Sequence, residues 1–302
     1  MGPSEKAAEP VLARLGPCRA GVCGSPVEHS FSPLLHRAAY RALGLTDWSY
    51  HRARIEADQL AGHVAGLDET WRGLSLTMPL KEAAFGVVHT ASPLAVRVGA
   101  INTLVRDDRG WWGENTDVHG IVEALRAVGV RHADAAVLVG AGATARSALA
   151  ALVQLGVRRV TFIVRDRVRP ETSRLAEELG LDVAESPMGV WPEVFDVVVG
   201  TVPAVAYHRD RGPAGMSPVE ALPRAVPGSA VLDCVYGDGP SPLLQAADST
   251  GYAVVPGTEM LLHQAAEQVR LMTGRQPPVP EMRHALAAAV DATESGTRGS
   301  RR

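Results

Sequence analysis

Short apolar runs alternate with helical stripes along the chain. Residues 19–23 read as a buried strand that stops at Gly24. In the helix that follows, Ser32 is the expected N-cap and Pro33 the first helical residue. Its apolar residues recur as Leu34, Leu35, Ala38, Ala39 and Ala42, and Gly44 closes it. Strands at 50–55 and 73–77 flank a helix at 58–67. Residues 100–106 and 111–114, joined by Asp107, Asp108, Arg109 and Gly110, read as a hairpin. That hairpin marks the end of a first domain.

From Asp117 the pattern starts again. A helix runs to Val128 with Gly129 as its stop, and the all-apolar stretch at 135–139 suits a strand buried on both faces. A helix to Leu155, strands at 159–164, 196–200, 230–233 and 253–255, and helices at 171–179 and 242–247 complete a doubly wound unit. Helices at 258–273 and 279–290 have no strand after them, so they are expected to return to the first domain. The Ser/Gly/Thr/Arg-rich tail at 293–302 predicts disorder. The fold class is therefore α/β: a substrate-side domain of residues 1–115 completed by 257–292, and a doubly wound dinucleotide-binding domain of residues 116–256.

The second domain carries its own chemical signal. Gly140, Ala141, Gly142, Ala143, Thr144 and Ala145 lie between an apolar strand and a helix, the setting in which G-x-G-x-x-[GA] binds a dinucleotide. Gly140 allows the tight turn, Gly142 admits a pyrophosphate to the backbone, and Ala145 keeps helix and strand close. The helix start offers free N–H groups and a positive dipole end. A ligand-free glycine turn is the bland alternative. At the end of the next strand, Arg165 favours the 2′-phosphate of NADP, whereas Asp166 keeps NAD open. Arg167 and Arg169 fit a solvated loop as well.

Composition narrows the partner. A net charge of −3 without a block of like charge argues against nucleic acid or a membrane surface and for a small molecule. No apolar run nears the ~18 residues of a membrane helix. The first ten residues carry Glu5, Lys6 and Glu9 in place of a signal core, so a soluble, cytoplasmic protein is expected. Cys18, Cys23 and Cys234 are odd in number, and no Cys/His cluster has zinc spacing, so reduced thiols and no metal are expected. Of 30 basic residues only Lys6 and Lys81 are lysines. A lysine kept among arginines points to a task arginine performs badly, proton transfer.

Four clusters in the first domain offer polar groups. Ser30 and Ser32, two apart, would point the same way from an extended segment and could bind a carboxylate or hydroxyl, unless Ser32 is only a cap. Thr77 and Lys81 sit at a strand-to-helix junction, where side chains commonly face a cleft or simply solvent. Asn102 and Thr103 are polar residues in an apolar strand. Asn115, Thr116 and Asp117 open a helix, where capping alone would explain them.

The motifs Gly24-Ser-Pro-Val-Glu-His-Ser-Phe-Ser-Pro33, Leu76-Thr-Met-Pro-Leu-Lys81, Gly99-Ala-Ile-Asn-Thr-Leu104, Gly113-Glu-Asn-Thr-Asp117-x-x-Gly120, the loop at Gly140, and Gly257-Thr-Glu-Met-Leu-Leu-His-Gln264 occur in this order. Together, over roughly residues 20 to 290, they resemble the shikimate dehydrogenases. The resemblance implies metal-free, NADP-dependent interconversion of 3-dehydroshikimate and shikimate in aromatic amino-acid biosynthesis. It implies substrate contacts from Ser30, Ser32, Thr77, Asn102, Asp117, Tyr236 and Gln264, with Lys81 as acid/base beside Asp117. Cofactor contacts are implied for Gly140, Ala141, Gly142, Ala143, Thr144, Arg165, Gly257 and, on the nicotinamide-side loop, Thr201. Ser75 stands where the family commonly has Asn. A quinate or aminoshikimate dehydrogenase using NAD or NADP shares the Lys/Asp pair, and a non-catalytic shikimate-binding sensor would need neither that lysine nor the phosphate loop. Monomer and homodimer are both open.

Overall fold

The computed structural model describes residues 17–209, 217, 219–237, 239 and 241–299. The acidic start at 1–10 and residues 300–302 of the tail lie outside them.

Two six-stranded sheets organise the chain. The first contains β1 (Cys18–Gly24), β2 (Trp48–Arg54), β3 (Trp71–Leu76), β4 (Thr90–Ala91), β5 (Thr103–Asp107) and β6 (Gly110–Glu114), in the order β2-β1-β3-β5-β6-β4. It is mixed: β1 runs parallel to β2 and β3, and β5 is antiparallel to β3 and β6. Helices α1 (Ser32–Ala42), α2 (Leu60–Ala65), α3 (Leu80–Ala83) and α4 (Pro93–Val98) connect its strands.

The second sheet contains β7 (Ala135–Val139), β8 (Arg159–Val164), β9 (Asp182–Pro187), β10 (Val197–Gly200), β11 (Ala230–Asp233) and β12 (Ala253–Pro256). Its order is β12-β11-β10-β7-β8-β9, parallel throughout. Strand order reverses between β7 and β10, and in such sheets ligands bind beyond the strand ends at that switch point. The expected double winding is present. Helices α5 (Asp117–Ala127), α6 (Ala143–Gln154), α7 (Pro170–Glu178), α8 (Ala206–Arg209) and α9 (Pro242–Thr250) belong to this half of the chain.

Helices α10 (Gly257–Thr273) and α11 (Val279–Gly299) do return to the first sheet's side. Leu262, Ala265, Ala266 and Val269 of α10 and Met282 and Leu286 of α11 share a core with Leu35 and Ala39 of α1. α11 extends past position 290, and 293–299, expected to be disordered, have helical backbone. No proline interrupts that stretch, and glycine and serine there fall within or after a helix already nucleated by its buried first turns.

Several expectations from local pattern are corrected. β4, β9, α4 and α8 have no counterpart in that pattern; β9 is an edge strand with mostly exposed residues, so it lacks an apolar signature. Asn102 precedes β5 instead of lying in a strand. Ser32 is not the α1 cap: Phe31 occupies the cap position, in helical backbone, and no side chain caps the helix. Thr116 likewise precedes α5 without capping it through its side chain, although Asn115 Oδ1 accepts from the Val118 N–H at 3.3 Å.

The core includes a buried histidine. His36 of α1 is fully buried, its ring 4.1 Å from that of Tyr50 and its Nε2 3.3 Å from Gln268 Oε1. Burial lowers its pKa to about 3, against the opposing hydrogen bond to the Gln268 carbonyl. The folded state thus refuses a proton that the unfolded chain accepts near pH 6.5. The stability this preserves is complete above that pH and falls as pH drops toward 3. In urea unfolding, the wild type is expected to lose about 2 kcal/mol more than His36→Phe between about pH 7.5 and about pH 5.

Candidate active site

The strand-to-helix junction after β3 carries the first half of the site. Thr77 follows the strand and Lys81 lies in the short helix α3, so both face a cleft of about 970 Å³. Across it stand the loop after β7, residues 140–144, the end of β8 with the segment after it, residues 163–170, and residues 201–203, 205 and 206 after β10. The cleft therefore lies between the two sheets, at the switch point of the second.

Lys81 Nζ donates to Asp117 Oδ2 at 2.6 Å, and both side chains are largely withdrawn from water. Asp117, in the first turn of α5, also accepts from Asn102 Nδ2 at 2.8 Å. Asn102 Oδ1 accepts from the Thr116 N–H at 2.8 Å and from the Thr103 hydroxyl at the same distance. Gln264, buried on α10, approaches Asn102 Nδ2 and Thr116 Oγ1 at 3.4 Å. Capping thus does not account for Asp117, because its carboxylate is held by Lys81 and Asn102.

The serine pair extends the cluster. Ser30 Oγ donates to Ser32 Oγ at 3.2 Å, an approach made by the turn that starts α1 and not by an extended segment. Phe31 stacks on Tyr236, with ring centroids 5.9 Å apart. Burial pushes the Tyr236 hydroxyl up to about 12, with the Ser30 hydrogen bond opposing and the Asp117 charge adding to the rise. Tyr236 is thus hydrogen-bonded to Ser30 and feels the charge of Asp117. Burial also pushes the nearby Cys234 thiol up, Asp233 and Asp117 adding and Lys81 opposing, so it remains a thiol. No group of three His, Cys, Asp or Glu residues that could hold a metal occurs among the described residues.

On the cofactor side, Gly140 has φ +106°, and a Cβ there would stand 2.6 Å from Thr201 Oγ1 and 2.7 Å from a Val202 methyl carbon. Gly142 precedes α6 as its uncapped N-cap, and nothing lies within 4 Å of where its Cβ would be. Open backbone, free N–H groups in the first turn of α6 and the cleft volume fit a dinucleotide pyrophosphate. Arg165, Asp166, Arg167 and Arg169 line the same cleft beyond β8. Thr201 lines it too, with its hydroxyl on the Val139 carbonyl. Gly257 is placed differently: it is not part of the cleft wall, and a Cβ there would meet the carbonyl oxygens of Asp233 and Cys234 at 2.7 and 2.8 Å. Its lack of a side chain lets α10 begin against the end of β11.

The shikimate dehydrogenase substrate binding domain family matches residues 22–104, and the shikimate 5′-dehydrogenase C-terminal domain family matches residues 257–287. The NADP(+) shikimate dehydrogenase of Anaeromyxobacter sp. (strain Fw109-5) is 37% identical, with 90% of this chain and 97% of the relative covered. This chain belongs to the shikimate dehydrogenase family. Among solved structures, the Mycobacterium tuberculosis shikimate dehydrogenase is 39% identical with a TM-score of 0.78, covering 90% of this chain and all of that one. The shikimate 5-dehydrogenase of Thermus thermophilus, solved with NADP(H) and shikimate, is 33% identical with a TM-score of 0.77, covering 90% of this chain and 99% of that one.

Within this family member, sequence reading misses Arg146. It lies in the first turns of α6, is 3% exposed, and sends Nε to the Val98 carbonyl at 2.7 Å and Nη2 to Glu82 Oε1 at 2.6 Å. An arginine among the small and apolar residues of α6 is the available signal. Gln268 escapes notice because nothing local distinguishes it from an ordinary core polar group, and Thr103, Thr116 and Ser75, though they stand out in the sequence, receive no place there beside Asn102 and Asp117.

The two glycines of the loop should separate cleanly. Gly140→Ala is expected to lower stability by about 1–3 kcal/mol through overpacking and a strained φ, whereas Gly142→Ala stays within about 0.5 kcal/mol of wild type. Urea unfolding of the ligand-free protein reads both.

Proposed function

We propose that this chain catalyses the reversible NADP-dependent reduction of 3-dehydroshikimate to shikimate, as a cytoplasmic enzyme of aromatic amino-acid biosynthesis. The observation that carries this reading is the 2.6 Å Lys81–Asp117 contact, whose lysine lines the same cleft as the glycine loop. Family membership supports the substrate and the cofactor. Of the described residues, those within 1–115 and 257–292 then form the substrate side and those within 116–256 the dinucleotide side. No helix among the described residues is long and apolar enough to cross a membrane. Monomer and homodimer both fit this reading.

Gly140, Ala141, Gly142, Ala143 and Thr144 would hold the pyrophosphate of NADPH, with Arg165 at the 2′-phosphate and Thr201 on the nicotinamide side, and the bound cofactor would supply the hydride. Reduction of a ketone leaves negative charge on oxygen, so the protein must place a cation and a proton there. Lys81 provides both. Asp117 holds the ammonium and accepts from a ring hydroxyl, while Ser30, Ser32, Thr77, Asn102, Tyr236 and Gln264 read the carboxylate and remaining hydroxyls. In the oxidative direction Lys81 takes the proton back. Closing of the cleft would exclude water from the transfer.

If Lys81 transfers a proton, Lys81→Arg fails nearly as badly as Lys81→Ala, because a guanidinium with pKa above about 12 gives up its proton poorly at neutral pH. The expected loss is ~10²–10⁴-fold in kcat, and an arginine enzyme keeping more than about a tenth of wild-type kcat would reduce Lys81 to an electrostatic anchor.

Arg165→Ala is expected to weaken NADP by about 1.5–3 kcal/mol through loss of a charge-assisted contact, with NAD nearly unaffected. Cofactor titrations on the two proteins test this, and equal losses for both cofactors would assign Arg165 another role.

A further inference from the structure

Behind Asn102 a chain of buried hydrogen bonds continues away from the cleft. Gln268 of α10, 1% exposed, donates from Nε2 to Thr103 Oγ1 at 3.0 Å and faces the acceptor-only Asn102 carbonyl at 3.5 Å. Its Oε1 accepts from Ser75 Oγ at 2.6 Å and faces His36 Nε2 at 3.3 Å. Ser75 Oγ has spent its proton on Gln268, so it must accept in its 2.6 Å contact with Tyr50 Oη. Burial pushes the Tyr50 hydroxyl's pKa up, so it keeps the proton it donates.

The proton directions then follow without choice. Tyr50 donates to Ser75, Ser75 to the Gln268 carbonyl, the Gln268 amide to Thr103, and Thr103 to Asn102 Oδ1. With Oδ1 fixed by Thr103 and the Thr116 N–H, Asn102 presents its Nδ2 to Asp117. Every donor points toward the carboxylate that holds Lys81. Were the Gln268 amide reversed, its carbonyl would draw the Thr103 proton away, and Asn102 Oδ1 would lose a donor. The Thr116 hydroxyl lies 3.2 Å from Thr103 Oγ1, farther than Asn102 Oδ1 at 2.8 Å, so the Thr103 proton goes to the shorter contact.

We propose that Gln268 and Thr103 are positioning residues whose one-directional hydrogen bonds hold Asn102 in the orientation that fixes Asp117, and through it Lys81, for proton transfer. Neither touches the cleft: Thr103 is fully buried and Gln268 nearly so. Chains of this kind polarise one another, so removing one link is felt at the far end. This rests on the reading of Lys81 as the acid/base.

The test uses Thr103→Val, Thr103→Ser, Gln268→Met and the Thr103→Val/Gln268→Met double variant, with Lys81→Arg in parallel, measuring kcat, the KM for NADP and shikimate binding to the cofactor-free protein. Each single apolar variant should lower kcat about tenfold, the loss of one hydrogen bond's worth of alignment, with KM for NADP unchanged. Thr103→Ser, which keeps the hydroxyl, should stay within about twofold of wild type. Because both residues serve one chain, the double variant should be no slower than the worse single. Shikimate should still bind the Thr103 and Gln268 variants, since the cleft-facing groups remain. A folded Thr103→Val protein with wild-type kcat overturns the proposal, as does a double variant whose losses multiply to about a hundredfold. Should Thr103→Val not fold, Gln268→Met at wild-type kcat overturns it equally. A Lys81→Arg enzyme that keeps its kcat overturns the acid/base role instead, so the two failures are distinguishable.

Discussion

A carboxylate nearly out of water dominates the design of this molecule. Asp117 is 5% exposed, and a buried charge without partners costs far more than its contacts return. Its two oxygens are met by Lys81 and Asn102, which come from α3 and from the segment before β5. Helix α5 must therefore begin where these elements of the first sheet converge, although Ile121, Val122 and Leu125 of α5 pack into the core beneath the second sheet. The ion pair thus ties the two halves of the chain together at the site.

A second contact spans the same boundary. Arg146 projects from α6, whose N-terminus follows the glycine loop, onto the last carbonyls of α4 and onto Glu82, the neighbour of Lys81. The guanidinium fork suits this, because one planar group satisfies two backbone carbonyls and a carboxylate at once. The Asn115 amide adds a further tie, reaching the Ala100 carbonyl at 2.9 Å and Ser147 of α6 at 3.1 Å. The loop that would take the pyrophosphate and the helix that carries Lys81 are consequently joined through short polar contacts and not only across open space.

The two sheets make different use of burial. The strands β7, β10 and β11 are buried throughout and paired on both sides, so their apolar runs are rigid platforms whose C-terminal ends carry the cofactor-side loops. The first sheet instead admits polar groups, Ser75 and Thr103, into its interior, where Gln268 from α10 meets them. An interior of this kind is tolerable because each named group finds a partner, and it is specific because the hydrogen bonds have direction.

Much of this is legible in the residue order. The all-apolar run at 135–139 followed by Gly140 and Gly142 suits a doubly buried strand leading into a turn, because five residues stopped by glycine are strand length and too few for a helix. The scarcity of lysine singles out Lys81 without any geometry. What local pattern misjudges are termini and polar roles: Ser32 and Asp117 both look like helix caps, and 293–299 looks like coil. A hydroxyl or carboxylate at a helix start has the same local preferences whether it caps or reaches elsewhere. Only the fold brings Lys81, Asn102 and Asp117 together, and only α10, returning from the far end of the chain, supplies Gln264 and Gln268. Hydrophobic periodicity is a property of neighbouring residues and so is written in the sequence, whereas a hydrogen bond between residues 103 and 268 depends on distances that no short stretch encodes.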